Sequence, residues 1–292
     1  MFVKKNNLIY IGTAILAVLY FLSFCRSCSS TDKRELIKTA LINPKYENQI
    51  ESFELSDSQN SIQLTKNNEK WQVKDNISGL YLPADSKKVN KFTKNLTTIR
   101  NMYKISDKIN KDDSFGLFTE SSFVIKYTMP SGFYQLYFGN QDFSLSTRFL
   151  MTDKNTTVSE IDDSLDTFLS TSIQSWAEPY LISQETIGKI TPEDIQKAEI
   201  ITENKILKIS DYQKLLDLRH GGIAVSPNLN STKTAIINIE LGNKNSINLE
   251  ILQTDKENEY LVKSTYKTQN KNQTYYMNIS SWTYNKIKEI TL

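Results

Sequence analysis

The chain has 292 residues, enough for one or two domains, and 39% of them are hydrophobic, which is enough for buried cores. Residues 1–28 hold three of the 35 basic residues and no acidic one, so residues 29–292 carry 32 basic and 33 acidic residues. Proteins that bind nucleic acid need a strongly basic face, so this near-neutral balance argues against nucleic acid as a partner.

An uncharged apolar run extends from residue 8 to residue 24, behind Lys4 and Lys5. An α-helix rises ~1.5 Å per residue, so the run is roughly 26 Å long, slightly short of a ~30 Å hydrocarbon core. It is longer than the usual ~7–15-residue apolar core of a cleaved signal peptide, and no small-x-small cleavage site follows it. We therefore expect residues 1–28 to contain one uncleaved membrane anchor.

A lipoprotein signal is the alternative interpretation of the same segment. Cys25 would then be acylated after cleavage, but Phe24 is bulky at a position where a lipobox requires a small residue. Cys28 is a poorer candidate, because Arg26 and Ser27 precede it.

The orientation of the anchor follows from two opposing signals. Positive charges flank both ends of the run and do not favour a cytoplasmic amino end, whereas the very short amino-terminal tail is typical of a signal anchor. Residues 29–292 contain no cysteine, which suits an oxidising compartment. We expect a single-pass protein of a bacterial inner membrane, with its main domain in the periplasm.

Residues 29–44 are predicted to be a juxtamembrane helix or linker. Thr31 or Asp32 caps the predicted helix over residues 31–42, and Glu35 stands in capping-box register with Asp32. Asn43–Pro44 then ends it, because the residue before a proline avoids the helical conformation.

From residue 45 the apolar positions recur every second residue, which predicts short antiparallel strands. Asp85 or Ser86 is then expected to cap a helix. The strands are predicted around Phe53, at Ile62–Leu64, at Trp71–Val73 and at Leu80–Leu82, and the apolar helix positions are Val89, Phe92, Leu96 and Ile99.

An aromatic-rich segment at residues 123–138 predicts a hairpin that turns at Pro130–Gly132. One interpretation is an aromatic ligand groove. The other is a hairpin with one face in a core, which alternation alone predicts. The next predicted elements are a turn at Gly139–Gln141, strands at 143–151 and 157–161, and a helix that Asp162–Ser164 opens through Phe168.

Ser183–Thr191 is the predicted boundary between two domains, residues 45–185 and 186–292. Ser210 is expected to cap a helix over residues 211–219, which His220–Gly222 ends because glycine suits a left-handed stop. The remaining predictions are strands at 198–202, 206–209, 235–241, 247–252, 260–268 and 274–279, and a last helix at 280–290.

Two segments look like copies of one another: Tyr81–Phe92 and Tyr276–Ile287. Each follows a run of short strands and passes from strand to helix at an Asp or Ser cap. The predicted fold class is therefore α+β, with repeated antiparallel meander-plus-helix units behind an amino-terminal transmembrane helix.

His220 is the single histidine of the chain. Placed before Gly221–Gly222, it is similar to the oxyanion loop of esterases, but the Gly-x-Ser-x-Gly elbow of that mechanism is absent from the sequence. A zinc site needs several His or Cys ligands, and residues 29–292 offer His220 alone.

Other polar groups are predicted to have structural roles. Ser264 and Lys267 have Ser-x-x-Lys spacing but fall on a predicted strand without the companion motifs. The acidic positions lack calcium-loop spacing and are predicted to be turns and helix starts: Asp112–Asp113, Glu160 with Asp162–Asp163, and Glu193–Asp194. Trp71, Trp176 and Trp282 are predicted to be core or interface anchors. We predict no catalytic residue, no cofactor and no metal ligand.

Several segments across residues 45–292 resemble the bacterial family of the domain of unknown function 4340. They are Ile62-x-Leu64, Trp71-x-Val73, Tyr81–Asp85, Phe115–Leu117, Phe138–Gly139, Leu218–Ile223 and Ser281–Tyr284. Some members are similar to, or encoded with, auxiliary subunits of gliding-type ABC transport systems. The resemblance implies a membrane-anchored protein with an extracytoplasmic domain and offers no catalytic residues. A transport role would need a separate ATPase and permease as partners.

Two functional hypotheses follow. The first is a non-enzymatic accessory subunit, anchored through residues 8–24, whose periplasmic modules contact the protein subunits of an ABC-type complex. The second is a periplasmic or surface lipoprotein, acylated at Cys25, that binds an external ligand. A hydrolase is a distant third, because it would require a Ser/His/Asp site around His220.

Overall fold

The computed structural model describes residues 35–108, 113–143, 145–152, 155–186, 188–228, 231–242, 244–269 and 272–291, together with Leu16 and Tyr20. Two antiparallel sheets and a few helices make up these residues, as expected for an α+β or mainly β protein. The predicted anchor, residues 8–24, otherwise lies outside the described residues. Among the helices that are described, none combines the length and apolar character needed to cross a bilayer.

Ten strands form the first sheet, in the spatial order β1-β6-β10-β9-β8-β7-β2-β3-β4-β5. Each neighbouring pair is antiparallel. The strands are β1 Leu36–Thr39, β2 Ser52–Ser56, β3 Ser61–Asn67, β4 Lys70–Asp75, β5 Tyr81–Pro83, β6 Arg100–Ser106, β7 Phe123–Met129, β8 Gly132–Gln141, β9 Thr147–Thr152 and β10 Asn155–Asp162.

Seven strands form the second sheet, in the order β12-β11-β14-β15-β16-β17-β13. These pairs are antiparallel as well. The strands are β11 Ile195–Ile201, β12 Ile206–Lys208, β13 Gly222–Ile223, β14 Thr232–Leu241, β15 Ser246–Gln253, β16 Glu259–Lys267 and β17 Asn272–Ser280.

Short helices connect and cover the strands. The α-helices are α1 Ser86–Thr97, α2 Ile173–Trp176, α3 Tyr212–Leu216 and α4 Ser281–Glu289, and the 3-10 helices are Pro44–Gln49, Asp163–Phe168 and Pro192–Asp194. The predicted strands of the first meander are confirmed, because successive side chains along β2, β3 and β4 alternate between core and surface. The predicted last helix is confirmed as α4.

Helix α1 confirms the predicted cap and most of the predicted apolar stripe. The Asp85 carboxylate accepts a hydrogen bond from the Lys88 amide at 3.1 Å, and Phe92 is fully buried. Its ring lies 5.0 Å from the Phe53 ring and 5.2 Å from the Trp176 ring, measured between centroids. Ile99 lies beyond the end of the helix and is 66% exposed, so its assignment to the stripe is wrong.

The two similar segments adopt the same local structure. Asp85 and Ser280 occupy equivalent positions, and each caps a helix by accepting a hydrogen bond from the amide three residues ahead. Seven positions after each cap stand Phe92 and Ile287, both fully buried. The likeness in sequence is therefore matched by a likeness in capping and in core packing.

The aromatic segment folds as a core hairpin, which confirms the second interpretation. Strands β7 and β8 pair around the turn at Pro130–Ser131, with Met129 opposite Gly132. Every second residue of β7 is buried, beginning with Phe123, while Phe133 on β8 is exposed.

Three local predictions are wrong. Residues 36–39 of the predicted 31–42 helix form strand β1, because they pair with β6. Gly139–Gln141 continues strand β8 rather than turning, because Gln141 pairs with Arg148 of β9 after a register shift. Helix α3 ends at Leu216 and is capped by Asp211 rather than Ser210, and Gly222 belongs to β13. The division into domains 45–185 and 186–292 stays a prediction.

Candidate functional site

His220 lies on the segment that connects α3 to β13, in a half-buried position. Its Nε2 is 2.7 Å from the backbone carbonyl oxygen of Glu178, and its Nδ1 is buried without a hydrogen-bond partner in the described part of the chain. Burial lowers the pKa of His220, and the bond to Glu178 opposes that shift. The hydrogen bond between His220 and Glu178 links the α3–β13 connection to the segment that follows α2.

The Glu178 carboxylate forms the centre of a polar cluster that the sequence did not indicate. Its oxygens accept hydrogen bonds from the Ser183 hydroxyl at 2.6 Å, from the Gln184 amide at 2.8 Å and from the Glu185 amide at 3.3 Å. Burial raises the pKa of Glu178, and these hydrogen bonds oppose the shift. A single Glu beside a proline has no sequence signature, so only the tertiary structure shows this cluster.

Tyr266 extends the cluster into the second sheet. Its hydroxyl accepts a hydrogen bond from the Ser183 amide at 2.7 Å and donates to the Leu181 carbonyl at 3.3 Å. The ring is fully buried, and burial raises the pKa of the phenol well above its usual range. These bonds hold the chain between α2 and β11 against strand β16, which is a structural role.

The Ser-x-x-Lys pair is not brought together. Ser264 and Lys267 are three residues apart on β16, so their side chains point to opposite faces of the sheet. Ser264 is fully buried, whereas Lys267 is exposed. A lysine on the opposite face cannot serve as the base for this serine.

Among the described acidic residues, Asp113, Asp162 and Asp194 lie at turns and helix starts, as predicted. The Asp113 carboxylate accepts hydrogen bonds from the Leu117 and Phe118 amides. Asp162 and Asp194 accept from the amides of Ser164 and Thr191, at the start of the two later 3-10 helices. For Glu160 the prediction is wrong, because it is buried on strand β10, where it pairs with neighbouring strands and accepts a hydrogen bond from the Thr147 hydroxyl. Asp112 lies outside the described residues. Within the described ranges no three His, Cys, Asp or Glu side chains are grouped as metal ligands.

The three tryptophans differ in their surroundings. Trp71 and Trp176 are buried, and their indole N–H groups donate to Asn90 at 3.2 Å and to the Ser170 carbonyl at 2.8 Å. Trp282, at the start of α4, is 65% exposed. The Nζ of Lys286 lies 3.7 Å from the centroid of the Trp282 ring and holds it through a cation–π contact.

A concave site with a volume of about 440 Å³ adjoins Trp282. Its apolar wall includes Leu218 and Ile290, both buried, and Arg219 stands at its rim. The Arg219 guanidinium lies 5.3 Å from the Tyr180 ring centroid. Trp, Tyr and Arg are the residues that contribute most to binding in protein interfaces, and a neighbouring apolar pocket is their usual setting. This geometry suits recognition of a protein surface.

Comparison with known proteins gives one match. The family model described as a domain of unknown function (DUF4340) matches residues 77–238. No curated protein and no solved structure matches the chain. The matched residues include Glu178 and His220, and Trp282 lies beyond them.

Proposed function

The chain belongs to the DUF4340 family, and from this membership we propose that it is a non-enzymatic accessory subunit of an ABC-type, gliding-like transport complex. In this proposal residues 8–24 anchor it in a bacterial inner membrane. Repeated meander-plus-helix units then form an extracytoplasmic scaffold that acts through protein contacts. The family likeness to auxiliary subunits of such systems supports the choice of complex.

The exposure of Trp282 is the observation that carries the contact role. The apolar surface of the exposed Trp282 indole is unfavourably hydrated. Burying this surface against a partner would contribute about 25 cal/mol of binding free energy per Å² of apolar area removed from water. The cation–π contact with Lys286 favours one orientation of the ring before binding, which reduces the side-chain entropy that binding costs. The adjoining pocket, with Arg219 at its rim, gives the partner a concave surface to fill.

The polar cluster around Glu178 supports the scaffold role. Glu178 accepts hydrogen bonds from His220 and from the Ser183 hydroxyl. The Ser183 amide in turn donates to the Tyr266 hydroxyl, so the cluster connects segments that are far apart in the sequence. Buried polar groups that are satisfied in only one arrangement disfavour other arrangements. A rigid connection of this kind would present Trp282 and Tyr180 in a fixed relative position.

Affinity purification of the tagged full-length protein from mild-detergent membranes tests the proposal. We expect an ABC ATPase and a permease to co-purify with the wild type. Trp282→Ala should reduce their recovery about tenfold or more, as expected for an interface hot spot. Phe133→Ala is the matched control, because Phe133 is 64% exposed on the other sheet, and its recovery should equal that of the wild type.

Other outcomes discriminate between the hypotheses. Recovery of the protein alone, with a lipid mass on Cys25, would contradict the accessory-subunit function and favour a lipoprotein that binds an external ligand. Equal recovery of the ATPase and permease with Trp282→Ala would keep the function and reject this contact site.

A further inference from the structure

A second concave region lies at the opposite end of the first sheet from β5, beside the edge strand β1. It is an open groove of about 1100 Å³ between β1, helix α1 and strand β6. Four cationic side chains line it: Lys38, Lys91, Lys94 and Arg100. Among the lining residues that the structure describes, Asp162 is the one acidic residue. The chain as a whole has 35 basic and 33 acidic residues, so the excess of positive charge in this groove is a local feature.

The three lysines are exposed, and no hydrogen bond or ion pair engages their side chains within the described part of the chain. Lys38 comes from β1, whereas Lys91 and Lys94 come from α1, so two separate elements direct positive charge into one depression. A concave surface lined by charge of one sign focuses the field and attracts counter-ions.

Arg100 contributes a positive charge to the groove, and hydrogen bonds hold its guanidinium in place. It is only 8% exposed, and its guanidinium donates to Asn95 Oδ1 at 2.6 Å and to Ser164 Oγ at 3.1 Å. Asp162 lies 3.4 Å from it but is itself half exposed, so water weakens this pair. The Arg100 Nε is buried and has no hydrogen-bond partner among the described residues. Asn95 accepts from Arg100 through Oδ1, which leaves its amide NH₂ as a further donor in the groove lining.

We propose that this groove binds a phosphate group of an anionic ligand, a role that goes beyond the proposed protein contacts. Phosphate oxygens accept hydrogen bonds from arginine, lysine and amide donors, which are the groups present here. Ile99, 66% exposed, and Tyr103 give the groove an apolar rim that would contact the glycerol or acyl part of a phospholipid.

Its place in the chain puts the groove near the expected membrane surface. Strand β1 begins at Leu36, about 12 residues after the predicted anchor ends, and such a segment spans at most roughly 40 Å. The ligand source is therefore either the headgroup of an anionic lipid or free phosphate, and one titration distinguishes the two.

The test measures binding to the full-length protein in a mild non-ionic detergent by microscale thermophoresis. The probes are dioctanoyl phosphatidylglycerol, dioctanoyl phosphatidylcholine and inorganic phosphate. The variant K91Q/K94Q removes two charges from an exposed helix face, and K38Q independently removes one from the facing strand. The control K205Q/K208Q removes two exposed lysines from the β11–β12 hairpin of the other sheet.

We expect phosphatidylglycerol to bind the wild type and the control equally. The affinity should fall about tenfold or more in K91Q/K94Q and by a smaller factor in K38Q, because the first variant removes two of the positive charges that attract the anion and the second removes one. Equal affinity for inorganic phosphate with the same dependence on the variants would keep the site and assign it to the free anion. The proposal would be overturned if neither phosphatidylglycerol nor inorganic phosphate bound, if phosphatidylcholine bound as tightly as phosphatidylglycerol, or if both groove variants kept the wild-type affinity.

Discussion

The Nε2–H of His220 donates a hydrogen bond to the backbone carbonyl oxygen of Glu178 across 2.7 Å, where the segments after α2 and α3 meet. A carbonyl can only accept, so the neutral ring carries its proton on Nε2 and leaves Nδ1 bare. That Nδ1 is buried without a partner in the described structure. Protonation of His220 would therefore place an unpaired N–H and a positive charge in a desolvated position.

The first prediction concerns the pH dependence of stability. Burial lowers the pKa of His220 in the folded state, so the unfolded chain binds this proton more readily. The stability that the neutral ring contributes is present above the unfolded pKa of about 6.5 and is lost as the pH falls towards the lowered folded pKa. His220→Gln keeps an N–H donor for Glu178 and cannot titrate.

Chemical denaturation of the full-length protein between pH 7.5 and pH 5.5 measures this effect. Below about pH 6.5, the free energy of unfolding of the wild type should fall relative to that of His220→Gln by up to ~1.4 kcal/mol per pH unit. Glu178 titrates in both proteins, and its raised pKa works in the opposite direction, so the difference isolates His220. Parallel pH profiles would show that His220 is not desolvated as described.

Much of the strand pattern could be predicted because it depends on local alternation. The period of two along β2–β4 and β14–β17 arises from one buried face, and sequence alone records it. The cap at Asp85 is likewise a local feature. Local pattern predicts a helix where strand β1 forms, because the pairing partner of this strand, β6, is more than 60 residues away.

The candidate sites were less accessible to prediction, because they combine distant residues. Glu178 acquires its environment from Ser183 nearby and from His220, 42 residues away. The charge of the groove arises where β1, α1 and β6 meet, and a scattered Lys38 or Arg100 has no local signature. The sequence predicts Trp282 as a core or interface anchor without distinguishing the two, and the structure leaves it 65% exposed, so the interface role stays a prediction.

The second prediction concerns the two equivalent helix caps. Asp85→Ala and Ser280→Ala each remove a side-chain oxygen that accepts a hydrogen bond from a first-turn amide, at 3.1 Å and 3.3 Å. Each should lower the free energy of unfolding by about 1 kcal/mol. Ser172→Ala is the control, because Ser172 begins α2 without a side-chain cap bond. Equal stability of all three variants in denaturant titrations would contradict the capping role of Asp85 and Ser280, and different losses for the two cap variants would contradict their equivalence.

The third prediction concerns Phe92, the centre of an aromatic cluster. Its ring lies within 5.0–5.5 Å of the Phe53, Phe168 and Trp176 rings, measured between centroids. Phe92→Ala should lower the free energy of unfolding by about 3–5 kcal/mol, because it leaves a cavity that the rigid neighbours cannot fill. Phe133→Ala should change it by less than about 0.5 kcal/mol, since that ring is exposed. A small effect at Phe92 would mean that this core is loosely packed.

The fourth prediction concerns Gly139, which the structure requires for close packing rather than for a turn. The Phe115 carbonyl oxygen accepts a hydrogen bond from the Asn140 amide at 2.9 Å and lies where a Cβ of residue 139 would stand. Gly139→Ala must therefore displace a backbone segment and should cost about 1–3 kcal/mol, measured by thermal or chemical unfolding. At Gly221 an added Cβ would lie 3.5 Å from the Asn278 carbonyl, an ordinary contact, so Gly221→Ala serves as the control and should leave stability nearly unchanged. If both variants are equally stable, the approach of Phe115 to strand β8 does not constrain this position.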